Sequence, residues 1–154
     1  MRRQARQWAL MILYGMDVAR TRADRAVPQF FSSFGTGEPL ETLPGWDHAT
    51  AYRVGVEPER SEEARRFTED RVAGVAEHLD DLDARIQAVS KKWRLERMAV
   101  LDRNVLRLGA FEVLHRGEDV PRAVAINEAV ELAKTFGTKE AGAFVNGILD
   151  RIAG

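Results

Sequence analysis

From residue 61 to the C-terminus, apolar residues return every three or four positions, and nowhere in the chain does apolar alternate with polar over a strand's length. A chain with the helical period and no two-residue period can bury its apolar surface only by packing helices against helices. Residues 3–19 share the pattern, with Ala5, Trp8, Ala9, Ile12, Met16 and Ala19 on one arc of a helical wheel. Arg2, Arg3 and Arg6 fall on the opposite arc, beside Leu10, Leu13 and Tyr14. Leu13 on that side also suits contact with a second helix.

Further elements follow from start and stop signals. Pro28 stands near the start of a short helical piece through Phe30 and Phe31. Residues 33–60 carry repeated glycines and prolines with no sustained period, which predicts a long loop. Ser61 before Glu62 and Glu63 reads as an N-cap with acids in the first turn. Phe67, Val75, Leu79, Leu82, Ile86, Val89 and Trp93 continue an apolar stripe, with a break expected near 79–81, where Asp80 or Asp81 could cap a second segment. Met98, Leu101, Val105 and Leu108 define the next helix, ending before Gly117. Pro121 fits the first turn of another, which carries Ala125, Ala129, Leu132 and Phe136 and stops at Gly137. Thr138 can cap a last helix with Phe144, Val145, Ile148, Leu149 and Ile152 inward. The expectation is an all-α fold of about seven helices.

A length of 154 residues suits a single domain, 1–154, with its Gly/Pro-rich loop at about 33–60. The absence of cysteine removes disulfides, thiolate nucleophiles and cysteine-based zinc sites, and fits a reducing cytoplasm. No apolar run approaches the roughly 20 residues of a membrane span. The basic start resembles a signal peptide's first region, but Gly15 and Asp17 interrupt the stretch behind it and no small-residue cleavage pattern follows, so it reads as mature protein.

The net charge of −1 announces no nucleic acid by itself, but the charge is unevenly placed. Residues 1–25 hold six arginines against Asp17 and Asp24; residues 57–83 hold ten acids against four arginines; residues 85–122 hold nine basic and five acidic residues. Such alternation can offer a basic face to phosphates and an acidic face to a basic protein, although solvated helix surfaces produce the same pattern.

Catalytic chemistry finds no footing. His48, His78 and His115 are far apart and show no metal-ligand spacing, and each suits a surface or helix end. Phosphate-cradling glycine loops, nucleophile elbows and dinucleotide fingerprints are missing from the sequence. Adjacent acids such as Glu62-Glu63 and Asp80-Asp81 point about 100° apart on a helix, which suits capping better than paired acid–base work. The expectation is a protein that is not an enzyme and needs no cofactor or metal.

One segment is more specific. Ala125-Ile126-Asn127-Glu128-Ala129, Glu131-Leu132-Ala133-Lys134, Phe136-Gly137 and then Phe144-Val145-Asn146-Gly147, Leu149-Asp150 closely resemble the hallmark of the NusB family. Arg2-Arg3, Ala5-Arg6 and the stretch to Tyr14 match as well, as does Leu106 to Glu112. The resemblance covers most of the chain except about residues 33–60. It implies two packed three-helix sub-bundles and a factor for transcription antitermination. Members bind the boxA element of ribosomal RNA leaders together with NusE, a small-subunit ribosomal protein, and help RNA polymerase pass terminators; some form homodimers that cover the RNA surface.

By the same resemblance, Arg2, Arg3 and Arg6 belong to the RNA surface, with Tyr14 and Phe144 as aromatic positions near it, and Glu96, Asp102, Phe136 and Glu140 align with the partner-protein face. Guanidinium groups suit phosphates and stack on bases. Three arginine–phosphate contacts give a log–log salt slope of about −2 on a single strand, too little for high affinity without a second protein. The apolar spacing of Phe136 and Phe144 also fits core packing. Asn127 and Asn146 suit structural hydrogen bonds at helix ends or between helices better than base reading, and Glu140 also suits the helix dipole. Gln4 and Ala143 stand where members often carry a basic residue, which thins the basic track. Two other readings compete: a protein–protein or dimerisation module poor in RNA affinity, and a non-catalytic relative of the RNA-binding domains of RNA methyltransferases.

Overall fold

The structure, a computed structural model, describes residues 1–32 and 62–154. They form seven α-helices: α1 (Arg2–Ala19), α2 (Ala23–Ser32), α3 (Glu62–Glu77), α4 (Leu79–Val89), α5 (Val100–His115), α6 (Arg122–Phe136) and α7 (Lys139–Ala153), with a 3-10 turn at Leu95–Arg97 before α5. The described residues contain no strand. The expected loop at 33–60 and the Ser61 cap lie outside them. The chain divides into two compact units, Met1–Ala73 and Gly74–Gly154, which fits the expected pair of helical sub-bundles; α3 contributes to each.

The first unit is built on α1. From Trp8 to Leu13 every residue of this helix is buried, so the apolar surface is continuous around it rather than confined to one arc. Leu10 and Leu13, expected beside the basic arc, are core residues, whereas Ala19, expected inward, is exposed. Trp8 meets the edge of Phe31 from α2, with ring centroids 5.9 Å apart. Thr68 of α3 is fully buried, and its hydroxyl lies within reach of two carbonyls, Ala64 at 2.8 Å and Ala5 of α1 at 3.2 Å.

Helix α2 begins at Ala23, five residues before Pro28, so the proline is interior rather than initial. Proline removes one backbone donor and crowds the carbonyl four residues back. Pro28 and Asp24 are both exposed, which leaves that carbonyl open to water and makes the interruption tolerable in so short a helix.

The second unit packs α4 to α7 around Leu82, Ile86, Leu106, Leu108, Phe111 and Leu149. Two glycines set its close approaches. A β-carbon on Gly74 would lie 2.1 Å from the Phe111 ring, and one on Gly109 would lie 2.6 Å from the Leu149 side chain. Helix α5 is tied to α4 by Arg107, which donates to the two Asp83 carboxylate oxygens at 2.7 and 2.9 Å. Two-point charge-assisted bonds of this kind are among the stronger polar contacts in proteins.

Helix ends follow local chemistry. Thr138 caps α7 as its sequence suggests, its hydroxyl oxygen accepting from the Ala141 N–H at 3.2 Å. Pro121 is the residue just before α6 rather than within its first turn. The break between α3 and α4 falls at His78, so Asp80 and Asp81 sit in the first turn of α4 instead of capping it. Gly137 ends α6 at φ −121°, which needs no glycine. Its need is room, because a β-carbon there would lie 2.8 Å from the Ala133 carbonyl oxygen and 3.0 Å from Leu101.

Candidate RNA and partner-protein faces

The N-terminus of α1 carries the expected basic residues in two different environments. Arg2 and Arg3 are exposed in the first turn, where there is no acid and no side-chain cap. A helix N-terminus prefers anions, so cations there oppose the helix dipole. Arg6, one turn on, is only 3% exposed. Its guanidinium lies 5.1 Å from the centre of the Phe67 ring on α3, Arg2 lies 5.2 Å from the same ring, and Arg71 lies 3.8 Å from it. Arg71 also donates to Asp70 at 2.7 Å. One aromatic ring thus gathers three guanidinium groups, an arrangement stabilised by the ring's negative faces. Arg6 is a buried structural cation in this arrangement, unlike Arg2 and Arg3. Arg71, which sequence reading passed over, belongs to the same cluster.

Tyr14 is half-buried on α1, and Phe144 is half-buried on α7 within the second unit. Trp93, which the apolar stripe of α4 was expected to bury, lines a groove with Phe144. It is 62% exposed, because α4 ends at Val89 and the chain turns at Ser90 before reaching it. The polar run Ser90-Lys91-Lys92 is the sequence signal of that ending. Asn127 and Asn146 are exposed on their helices rather than buried between them.

The four residues of the expected protein-binding face are all in the second unit. Asp102 lies in the first turn of α5, Phe136 ends α6, and Glu140 lies in the first turn of α7. The Gly137 turn between the last two sits against Leu101, which brings these three positions to one end of the helix group. Glu96 lies in the 3-10 turn that leads into α5. Glu96 and Glu140 are exposed, whereas Asp102 and Phe136 are half-buried. Burial raises the Asp102 carboxyl above its ordinary value, a cost in the isolated chain. Acidic residues and a half-buried phenylalanine at this end of the helix group suit a basic protein.

His78 and His115, distant in sequence and expected at helix ends, do occupy helix ends, but they stack on each other with centroids 4.1 Å apart. His48 lies outside the described residues. No group of three or more potential metal ligands occurs among the described residues, and no described helix is long and apolar enough to cross a membrane.

Comparison with known proteins gives these faces their context. Residues 3–154 match the NusB family model. The chain is 44% identical over 152 residues to the transcription antitermination protein NusB of Anaeromyxobacter dehalogenans, covering 99% of this chain and 89% of the relative. It is 43% identical to the protein of the same description from Myxococcus xanthus, covering 99% and 94%. Among solved structures, T. maritima NusB superposes with a TM-score of 0.75 at 31% identity, covering 99% of this chain and 90% of that one. The fold is shared, with a TM-score of 0.75 at 21% identity, by the antitermination factor NusB crystallised with NusE and double-stranded RNA, covering 99% and 95%. With the family model spanning nearly the whole length and relatives above 40% identity, the chain belongs to the NusB family of transcription antitermination proteins.

Proposed function

We propose that this chain is an antitermination factor that binds boxA-type single-stranded RNA of ribosomal RNA leaders jointly with the NusE-type ribosomal protein, within the transcribing RNA polymerase complex. The observation that carries the reading is the exposed Arg2-Arg3 pair in the uncapped, acid-free first turn of α1. A pair of cations placed against its own helix dipole is stabilised when a phosphate binds. Arg6 serves this surface indirectly, holding Phe67 beneath Arg2, while Tyr14 and Phe144 supply aromatic rings to bases. The acidic and apolar end built by Asp102, Phe136 and Glu140, with Glu96 beside it in sequence, receives the basic ribosomal protein. The relative solved with NusE and RNA supports the pairing of partners.

The test is fluorescence anisotropy with a labelled boxA-type RNA, with and without the NusE-type protein, over a salt series. The variant is Arg2→Ala/Arg3→Ala, leaving the buried Arg6 in place. Wild type should bind weakly alone and more tightly with the partner. Loss of two phosphate contacts should flatten the log–log salt slope by about 1.4. Partner binding without RNA binding under any condition would overturn the reading in favour of a protein–protein module.

A further inference from the structure

Trp93 is the most exposed large apolar side chain among the described residues, on a backbone that is firmly held. Its carbonyl oxygen accepts from the Ser90 hydroxyl at 3.0 Å and from the Gln87 side-chain amide at 3.1 Å. The same Gln87 amide donates to the Ser90 carbonyl at 3.1 Å, and its oxygen accepts from the Leu95 N–H at 2.9 Å. Ser90 itself is buried. A tryptophan kept in water by a turn with this many bonds is not a fraying end; it is fixed in place, with its ring outside the core.

The ring borders a groove of about 750 Å³ between the end of α4 and the outer face of α7, open to solvent on one side. Phe144 and Gly147 of α7 line the other side. A β-carbon on Gly147 would meet nothing within 4 Å, so the glycine leaves the groove wide there. Lys91, Lys92 and Arg151 are the charged residues of the lining, and no acid lines it. Arg151 is oriented by a 3.3 Å bond from its guanidinium to the Val89 carbonyl at the end of α4. The groove therefore combines two aromatic rings, an open gap and three cations. An anionic ligand with a flat, stackable group satisfies all three, and a nucleotide of single-stranded RNA is such a ligand. A basic or purely aliphatic occupant would leave the cations unmatched.

We infer that this groove is a nucleotide-binding subsite, in which a base stacks against Trp93 and Phe144 while Lys91, Lys92 and Arg151 hold the adjoining phosphates. The inference rests on the RNA-binding reading above and adds to it a site with Trp93 at its centre, distinct in residues from the α1 arginines. Phe144 contributes to RNA binding here as one wall of the groove.

The test uses the full chain and a single-stranded boxA-type RNA, alone and with the NusE-type protein. Trp93→Ala removes the stacking surface from an exposed position. Gly147→Leu fills the groove where there is space for it, so the fold is kept and only the site is blocked; circular dichroism checks both. Each variant should weaken RNA binding roughly tenfold, within the range expected for loss of one stacked base. RNA carrying 5-iodouridine should crosslink to Trp93 or Phe144. Unchanged affinity in both variants, with Arg2→Ala/Arg3→Ala still impaired, would overturn the subsite and leave the antitermination reading standing. Absence of RNA binding by the wild type, with and without partner, would remove both. Loss of self-association in Trp93→Ala by sedimentation, with RNA affinity intact, would assign the groove to a second copy of the chain and overturn the inference.

Discussion

Arg2, Arg3 and Arg6 share a sequence motif and a charge, but burial separates their consequences. Arg6 is almost wholly enclosed over the Phe67 ring, with Arg2 and Arg71 also drawn to that ring. Arg6→Ala removes both a cation–π contact and the packed aliphatic stem, and leaves space between α1 and α3 within the first unit. The expected loss is about 2 kcal/mol of stability, read as a lowered midpoint in urea unfolding. Arg2→Ala/Arg3→Ala should shift the same midpoint by no more than about 0.5 kcal/mol, because exposed side chains contribute little. If Arg6→Ala proves as stable as the double variant, its structural role fails. A change of all three arginines together would confuse a folding defect with a lost RNA contact, so the double variant is the sound test of RNA binding. None of this could be read from spacing: a helical wheel puts Arg6 with Arg2 and Arg3, and only the position of Phe67, some sixty residues on, draws it inward.

At the scale of the helices, most starts and stops were legible because they are written in local chemistry. Thr138 caps α7, most apolar positions expected inward on α5 to α7 are buried with Leu101, Phe136, Phe144 and Ile152 half out, and the glycine at 137 marks the turn. The exceptions have tertiary causes. Pro28 is tolerated inside α2, where it and Asp24, four residues back, are both exposed. Trp93 left the stripe of α4 because the Ser90 and Gln87 bonds turn the chain away first. Gly74 was silent in sequence, a single glycine in a helical pattern, yet the Phe111 ring occupies the space a side chain would need. Gly74→Ala gains up to about 1 kcal/mol of helix propensity. Against this, forcing a methyl group into a packed aromatic costs typically 1–3 kcal/mol. We expect net destabilisation, measured by thermal unfolding. A stabilised variant would mean that Phe111 can rotate away freely, and that α3 and α5 are less tightly packed there than the distance implies.

For the molecule as a whole, a net charge of −1 means that recognition and pH response arise from where charges sit, not from their sum. The stacked histidines show this most directly. The His115 ring lies against His78, with Phe111 alongside, and its Nε2 is buried with no hydrogen-bond partner among the described residues. Burial, and then the charge of His78, lower its tendency to protonate; Asp81 opposes this, and Arg116 and Arg85 add to the lowering. With the folded value below the ordinary one of about 6.5, the unfolded chain takes up the proton first as the solution is acidified. Stability from this group is therefore complete above about pH 6.5 and is lost as pH falls below it. Asp102 acts in the opposite sense, since burial raises its carboxyl above the ordinary 3.8, so acidification toward that lower range relieves a cost in the folded chain. Melting temperature should fall between about pH 7 and pH 5.5 in the wild type, and His115→Gln should make it flatter over that interval. An equal slope in both proteins would place the sensitivity elsewhere. The same stacking has a consequence for binding: neither histidine belongs to the arginine pair or to the Trp93 groove, so acidification over that interval should weaken the fold before it weakens the contacts to RNA.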